Sequence, residues 1–173
     1  MKFQIEKAIE ILSQTPETVK SLLGNLSDEW IENAPNSEHW SPFDIIGHLI
    51  HGEETDWLPR AEIILAQSEN STFEPFDRFA QFVKSRGRTL NELLETFTAL
   101  RTKNLVILCD MNLTEEKLKL KGIHPELGEV TLEQLLATWA VHDLNHIKQL
   151  VTVLAHRYAE NVGVWKQYLS ILQ

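Results

Sequence analysis

TLEQLLATWAVHDLNHIKQLVTVLAHR, residues 131–157, is the stretch that decides the fold class of this chain. Leu135, Trp139, His142, His146, Leu150 and Val153 recur every three or four residues, the period of one helix face and not the alternation of a strand. Thr131 and Gln134 form a capping box, hydroxyl and side-chain amide each answering an orphan backbone donor, so a helix is predicted from just after Thr131 to about Arg157. Its apolar stripe belongs in the interior of a helical core, and two imidazoles interrupt it.

Outward from there the chain continues in helices. Upstream, Thr89-Leu90-Asn91-Glu92 is a second capping box, opening a helix to about Cys109. Ser41-Pro42 offers a serine N-cap and a proline at the first helical position, with Asp44 in the first turn, and predicts a helix to about Ala66 that Pro59 bends. A first helix runs from about Lys2 to Leu23 and stops at Gly24-Asn25; Pro16 predicts a kink, or a restart capped by Thr15. Residues 68–88, rich in turn formers, read as a long connection with a short helical piece around Phe76 to Lys84. The stretch from Asn112 to Val130 holds His124-Pro125 and Gly128 and predicts a turn or a short hairpin over one end of the helices. A last short helix, about Val162 to Leu172, is expected to dock on the core through Trp165, Tyr168 and Leu169. With no internal repeat and no series of strands, the chain is expected to be one all-α domain spanning 1–173, its long helices joined by crossovers around one core.

Composition narrows the function classes. The chain has 173 residues, 43% hydrophobic, enough for one real core. Its 16 Lys+Arg against 25 Asp+Glu give a formal charge of −9, interspersed and with no basic stripe, which argues against nucleic acid as a partner. Cys109 is the one cysteine, so no intramolecular disulfide forms. No apolar run approaches the ~20 residues needed to cross a membrane, and the opening MKFQIEKAIEILSQ lacks the pattern of a signal peptide, so a cytoplasmic location is expected. Five tryptophans are a large apolar endowment and leave a homodimer through helix faces open.

The histidines carry the chemistry. His142 and His146, spaced i and i+4, project from one side of the same helix and can reach one metal ion. Two imidazoles buried in an apolar stripe need compensation; hydrogen bonds to backbone or carboxylate supply it in many proteins, and a divalent metal supplies it where a third ligand converges. The second helix offers that ligand in Ile45-Ile46-Gly47-His48-Leu49-Ile50, with His51 as an alternative in more polar company beside Gly52, Glu53 and Glu54, where a partly exposed role is expected. His39, His124 and His156 read as surface residues.

Trp40-Ser41-Pro42 leading into Gly47-His48-Leu49, then Gly128-Glu129-Val130-Thr131-Leu132, then Ala140-Val141-His142-Asp143-Leu144-Asn145-His146, resemble in order and separation the DinB-like superfamily. The resemblance covers most of the chain. It implies a DinB-like four-helix bundle holding a divalent metal, zinc or nickel first, on one histidine of the second helix and two of the last, which carry over onto His48, His142 and His146. It also implies an activity on a small-molecule substrate, since the superfamily includes metal-dependent hydrolases and thiol-dependent transferases. A transferase using a low-molecular-weight thiol such as bacillithiol is the first expectation; hydrolysis of amides or esters, or a non-catalytic metal-binding or stress-response module, are the alternatives. Glu53 and Arg101 are read either as an interhelical ion pair beside the site, with Glu53 as base or partner of a ligand, or as solvated charges. Asp143 and Asn145 point to other sides of the helix and are read as packing or surface groups.

Overall fold

The computed structural model describes residues 2–34 and 39–173. Its long helices are α1 (Ile5–Leu23), α3 (Pro42–Thr55) continued by α4 (Trp57–Ala66), α6 (Leu90–Asp110) and α8 (Leu132–His156), with short α2 (Asp28–Ile31), α5 (Ala80–Lys84) and α7 (Glu115–Leu118) between them. The capping boxes at Ser41/Asp44, Thr89/Glu92 and Thr131/Gln134 all form, which is why these helices start where local chemistry says they should. α1 packs on α6 and α8, and α3 packs on the same two, so the four bundle helices run α1, α6, α3, α8 around the core.

Two apolar clusters fill that core. One gathers Leu12, Trp57, Ala61, Leu108, Leu132, Leu136 and Trp139; the other gathers Val19, Leu23, Ile45, Leu49, Phe97, Leu150 and Val153. Along every bundle helix, polar residues separate the two clusters: Thr15 on α1, Glu53 on α3, Arg101 and Asn104 on α6, Asp143 and His146 on α8, all buried.

The short hairpin over one end is present as β1 (Lys121–His124) and β2 (Gly128–Thr131), antiparallel with His124 opposite Gly128. Gly128 takes the left-handed conformation, φ 75°, that closes this tight loop, and His124 Nδ1 accepts from the backbone N–H groups of Glu126 and Leu127. The crossover joins the hairpin through Phe73 N–H to Ile123 O and Ile123 N–H to Ser71 O, 2.9 Å each.

Three expectations are corrected. Pro16 does not restart α1, which runs as one helix from Ile5 to Leu23, and the Leu12 carbonyl that the proline leaves without a helical donor accepts from Arg101 Nη1 instead. At Pro59 the second long helix is divided as well as bent: it splits into α3 and α4 at the single residue Asp56 (φ −109°, ψ −68°), which stays in the right-handed region and keeps the bonds Asp56 N–H to Gly52 O and Arg60 N–H to Asp56 O, one turn ahead of the proline ring that crowds the preceding turn. The last segment is two 3-10 turns, Gly163–Tyr168 and Ser170–Leu172, in which Trp165 (68% exposed) and Tyr168 (75%) face solvent and only Leu172 is buried. The tighter 3-10 period puts different residues on the inner face from those that an α-helical reading selects.

Candidate metal centre

His48 on α3 and His142 and His146 on α8 converge. His142 Nε2 lies 3.3 Å from His48 Nε2 and 3.0 Å from His146 Nε2. Nitrogens about 2.1 Å from one ion stand about 3.0 to 3.4 Å apart for coordination angles between right and tetrahedral, so this spacing fits adjacent ligands of a single cation. His146 Nδ1 donates to Gln149 Oε1 at 2.8 Å, which leaves its Nε2 with the lone pair turned toward the other two rings. Three ring nitrogens facing one another cannot be satisfied by each other's hydrogens alone, and a shared cation resolves this.

Burial sets their protonation. Desolvation, with the neighbouring His146 imidazole next in importance, pushes His48 down to about 3 and His142 to about 2. Burial also lowers His146, against the opposing pull of the Gln149 bond and the Asp143 carboxylate. All three rings are therefore neutral at physiological pH, the state in which imidazole nitrogen binds metal. Aromatic rings box them in: Trp40 at 4.9 Å and Phe76 at 5.4 Å from His48, and Trp57 at 5.0 Å, edge to face, from His142.

The triad forms part of the wall of a pocket of about 640 Å³ that also reaches Asp56, Arg60, Arg78, His124 and Gln134. Asp56 and Arg60 are paired at 2.6 Å across the helix interruption, and burial raises the Asp56 pKa. Lys84 on α5 bonds Glu54 (2.7 Å) and His51 Nδ1 (3.2 Å), fastening the crossover to α3.

Behind the triad lies a buried ionic network. Arg101 Nη1 donates to Asp143 Oδ2 (2.6 Å) and to the Leu12 carbonyl (2.7 Å), while Nη2 donates to Glu53 Oε1 (2.8 Å) and Asp143 Oδ1 (3.1 Å). Trp139 Nε1 adds a bond to Glu53 Oε1 at 3.0 Å, and Asn104 Nδ2 one to Oε2, also at 3.0 Å. One guanidinium on α6 thus bonds to residues of the three other bundle helices. Burial disfavours its charge, but Asp143 and Glu53 more than offset that and hold its pKa above the ordinary value.

The sequence-predicted residues sort as follows. His48, His142 and His146 are brought together; His51 is not, and it is buried against Phe76 (4.9 Å) and Lys84, not partly exposed. Glu53 and Arg101 form the interhelical ion pair and are not solvated charges. Asp143 is fully buried on Arg101, and Asn145 is exposed at the pocket wall. His124 lines the pocket, and His39 faces His156 with ring centres 6.3 Å apart. Sequence reasoning missed Gln149, which its place three residues beyond His146 could have revealed, and missed Trp40, Trp57 and Phe76 as walls, for which no local signal exists.

An all-α bundle that gathers three histidines from two of its helices beside a pocket defines a class, and the sequence agrees: the model of the DinB superfamily matches residues 11–150, and the chain belongs to that superfamily. It is similar to YfiT of Bacillus subtilis (strain 168), named as a candidate metal-dependent hydrolase, with 23% identity over 166 residues, 90% of this chain and 86% of that protein. The solved YfiT structure, described as an unusual four-helix bundle topology, superposes with a TM-score of 0.72 at 21% identity over 91% of this chain and 89% of that one. TT2238, a four-helix bundle protein, gives 0.58 at 17% identity over 86% and 98%. Both likenesses establish the fold. Among the described residues no helix is long and apolar enough to cross a membrane.

Proposed function

We propose that His48, His142 and His146 hold a divalent metal ion, zinc or nickel, and that the protein uses it to activate a nucleophile against a small-molecule substrate. The observation that carries this reading is the convergence of three neutral imidazole nitrogens on one point in the wall of a pocket of substrate size. An ion on three neutral ligands keeps its full charge and open positions, and it lowers the pKa of a thiol or water placed there. Gln149 holds the His146 ring in the binding tautomer, and Trp40, Trp57 and Phe76 keep bulk water from the ring faces.

Within this class the favoured reaction is transfer of a low-molecular-weight thiol, of the bacillithiol type, to an electrophile. Glu53, the carboxylate that the sequence offers as a base, is fully engaged with Arg101, Trp139 and Asn104. A thiol gives its proton to solvent and needs no such base; the sulfur–carbon bond forms as the leaving group departs with its electron pair. Hydrolysis of an amide or ester is the second reading, and the name of the B. subtilis relative favours it. The test is to incubate metal-loaded protein with small thiols and monochlorobimane, and in parallel with an ester and amide panel. Conjugation that His142→Ala abolishes supports transfer; hydrolysis without conjugation supports the second reading; neither leaves a metal-binding module.

A further inference from the structure

The buried ionic network is not charge-balanced. Arg101 is one cation against two carboxylates, Glu53 and Asp143, and all three side chains are 1% exposed or less. Their remaining partners, Asn104, Trp139 and the Leu12 carbonyl, are neutral. Burying a surplus negative charge in the middle of a bundle is costly unless a cation stands close by.

The surplus stands on the same two helices that supply the histidine triad. Asp143 follows His142 directly and precedes His146 by one turn; Glu53 follows His48 by five residues. Trp139, bonded to Glu53, stacks on Trp57 at 5.8 Å, and Trp57 meets His142 edge-on. We infer that Glu53 is a positioning residue of the metal site: with Arg101 and Asp143 it fixes α3 against α8, and its charge is the counter-charge of the cation on the histidines. This rests on the metal-binding reading above.

Glu53→Gln tests it, because the amide keeps the shape and an oxygen acceptor for Arg101 and Trp139 while removing the surplus charge, at the loss of the one bond that Oε2 accepts from Asn104. Zinc affinity by competition with a chromophoric chelator, and urea unfolding of the chelator-treated protein, are measured on wild type, Glu53→Gln, Asp143→Asn and Leu94→Ala, the last a core change on α6 away from the network. The expected result is an affinity about tenfold weaker or more for Glu53→Gln, with metal-free stability lowered by no more than the one bond lost to Asn104, and undiminished affinity in Leu94→Ala. Asp143→Asn, which also removes one negative charge, repeats the loss of affinity should Glu53→Gln not fold. Wild-type affinity in Glu53→Gln, or an equal loss in Leu94→Ala, overturns this inference alone. No zinc uptake by wild type overturns the metal reading and this inference with it.

Discussion

Pro16 leaves vacant the acceptor that Arg101 fills. In an uninterrupted helix the N–H of residue 16 would bond to the Leu12 carbonyl; proline has no N–H, and Arg101 Nη1 reaches that oxygen from α6 at 2.7 Å. The residue that reads as a helix defect is thus the contribution of α1 to a bond that Glu53 and Asp143 complete from α3 and α8.

Were Pro16 only a defect, Pro16→Ala would stabilise the protein by about 3 kcal/mol. The restored N–H instead competes with Arg101 for Leu12, so the gain measured by urea unfolding is expected to be well under half of that. A full gain would show that the proline serves nothing.

Metal content separates the ligands from the other histidines. Plasma mass spectrometry on zinc-incubated, untagged protein is expected to find near-stoichiometric metal in wild type, His51→Ala and His39→Ala, and a sharp loss in His48→Ala, His142→Ala and His146→Ala. Equal occupancy across the set would sink the ligand assignment.

Acidification is expected to weaken the chelator-treated protein. His48 and His142 fall to about 3 and about 2 on folding, so below the unfolded value near 6.5 the unfolded chain binds their protons first. Stability is retained above that pH and declines as pH falls below it, by up to about 1.4 kcal/mol per unit for each ring. Urea midpoints at pH 7.5, 6.5 and 5.5 should fall more steeply in wild type than in His48→Gln/His142→Gln; parallel lines would contradict the buried neutral state.

Gly122 is where the hairpin meets α4. A Cβ there would stand 2.7 Å from Phe73 Cε1 and 2.9 Å from Ile64 Cγ1, both on buried side chains with little freedom to yield. Gly122→Ala is expected to cost about 1–3 kcal/mol by overpacking and to leave zinc content unchanged, because the triad stands on other elements. A neutral effect on the thermal midpoint would mean that the hairpin is not pressed against α4.

What could be read in the sequence was local. Capping boxes at Thr89 and Thr131 and the Ser41-Pro42 start act within four residues, and the i, i+4 spacing of His142 and His146 is a property of one helix. What could not be read depends on partners far along the chain. The Glu53–Arg101 pair is one of two readings that the sequence leaves open, but Arg101 stands among Thr, Lys and Asn, and nothing local announces Asp143 or the Leu12 carbonyl as its further partners from two other helices. His51 has charged neighbours in sequence, yet Phe76 and Lys84 of the crossover cover it. Trp165 and Tyr168 misled because their spacing was read at 3.6 residues per turn in a segment that turns at three.

The polar layer between the two apolar clusters bears on how the molecule comes apart. If either end of the bundle opened by itself, the helices that stayed would keep part of the Arg101, Glu53 and Asp143 cluster without its counter-charges in a low-dielectric interior. Partial opening is therefore penalised from both sides, and the halves are coupled into one cooperative unit. The histidines share that unit through α3 and α8, so they are assembled or lost as a set.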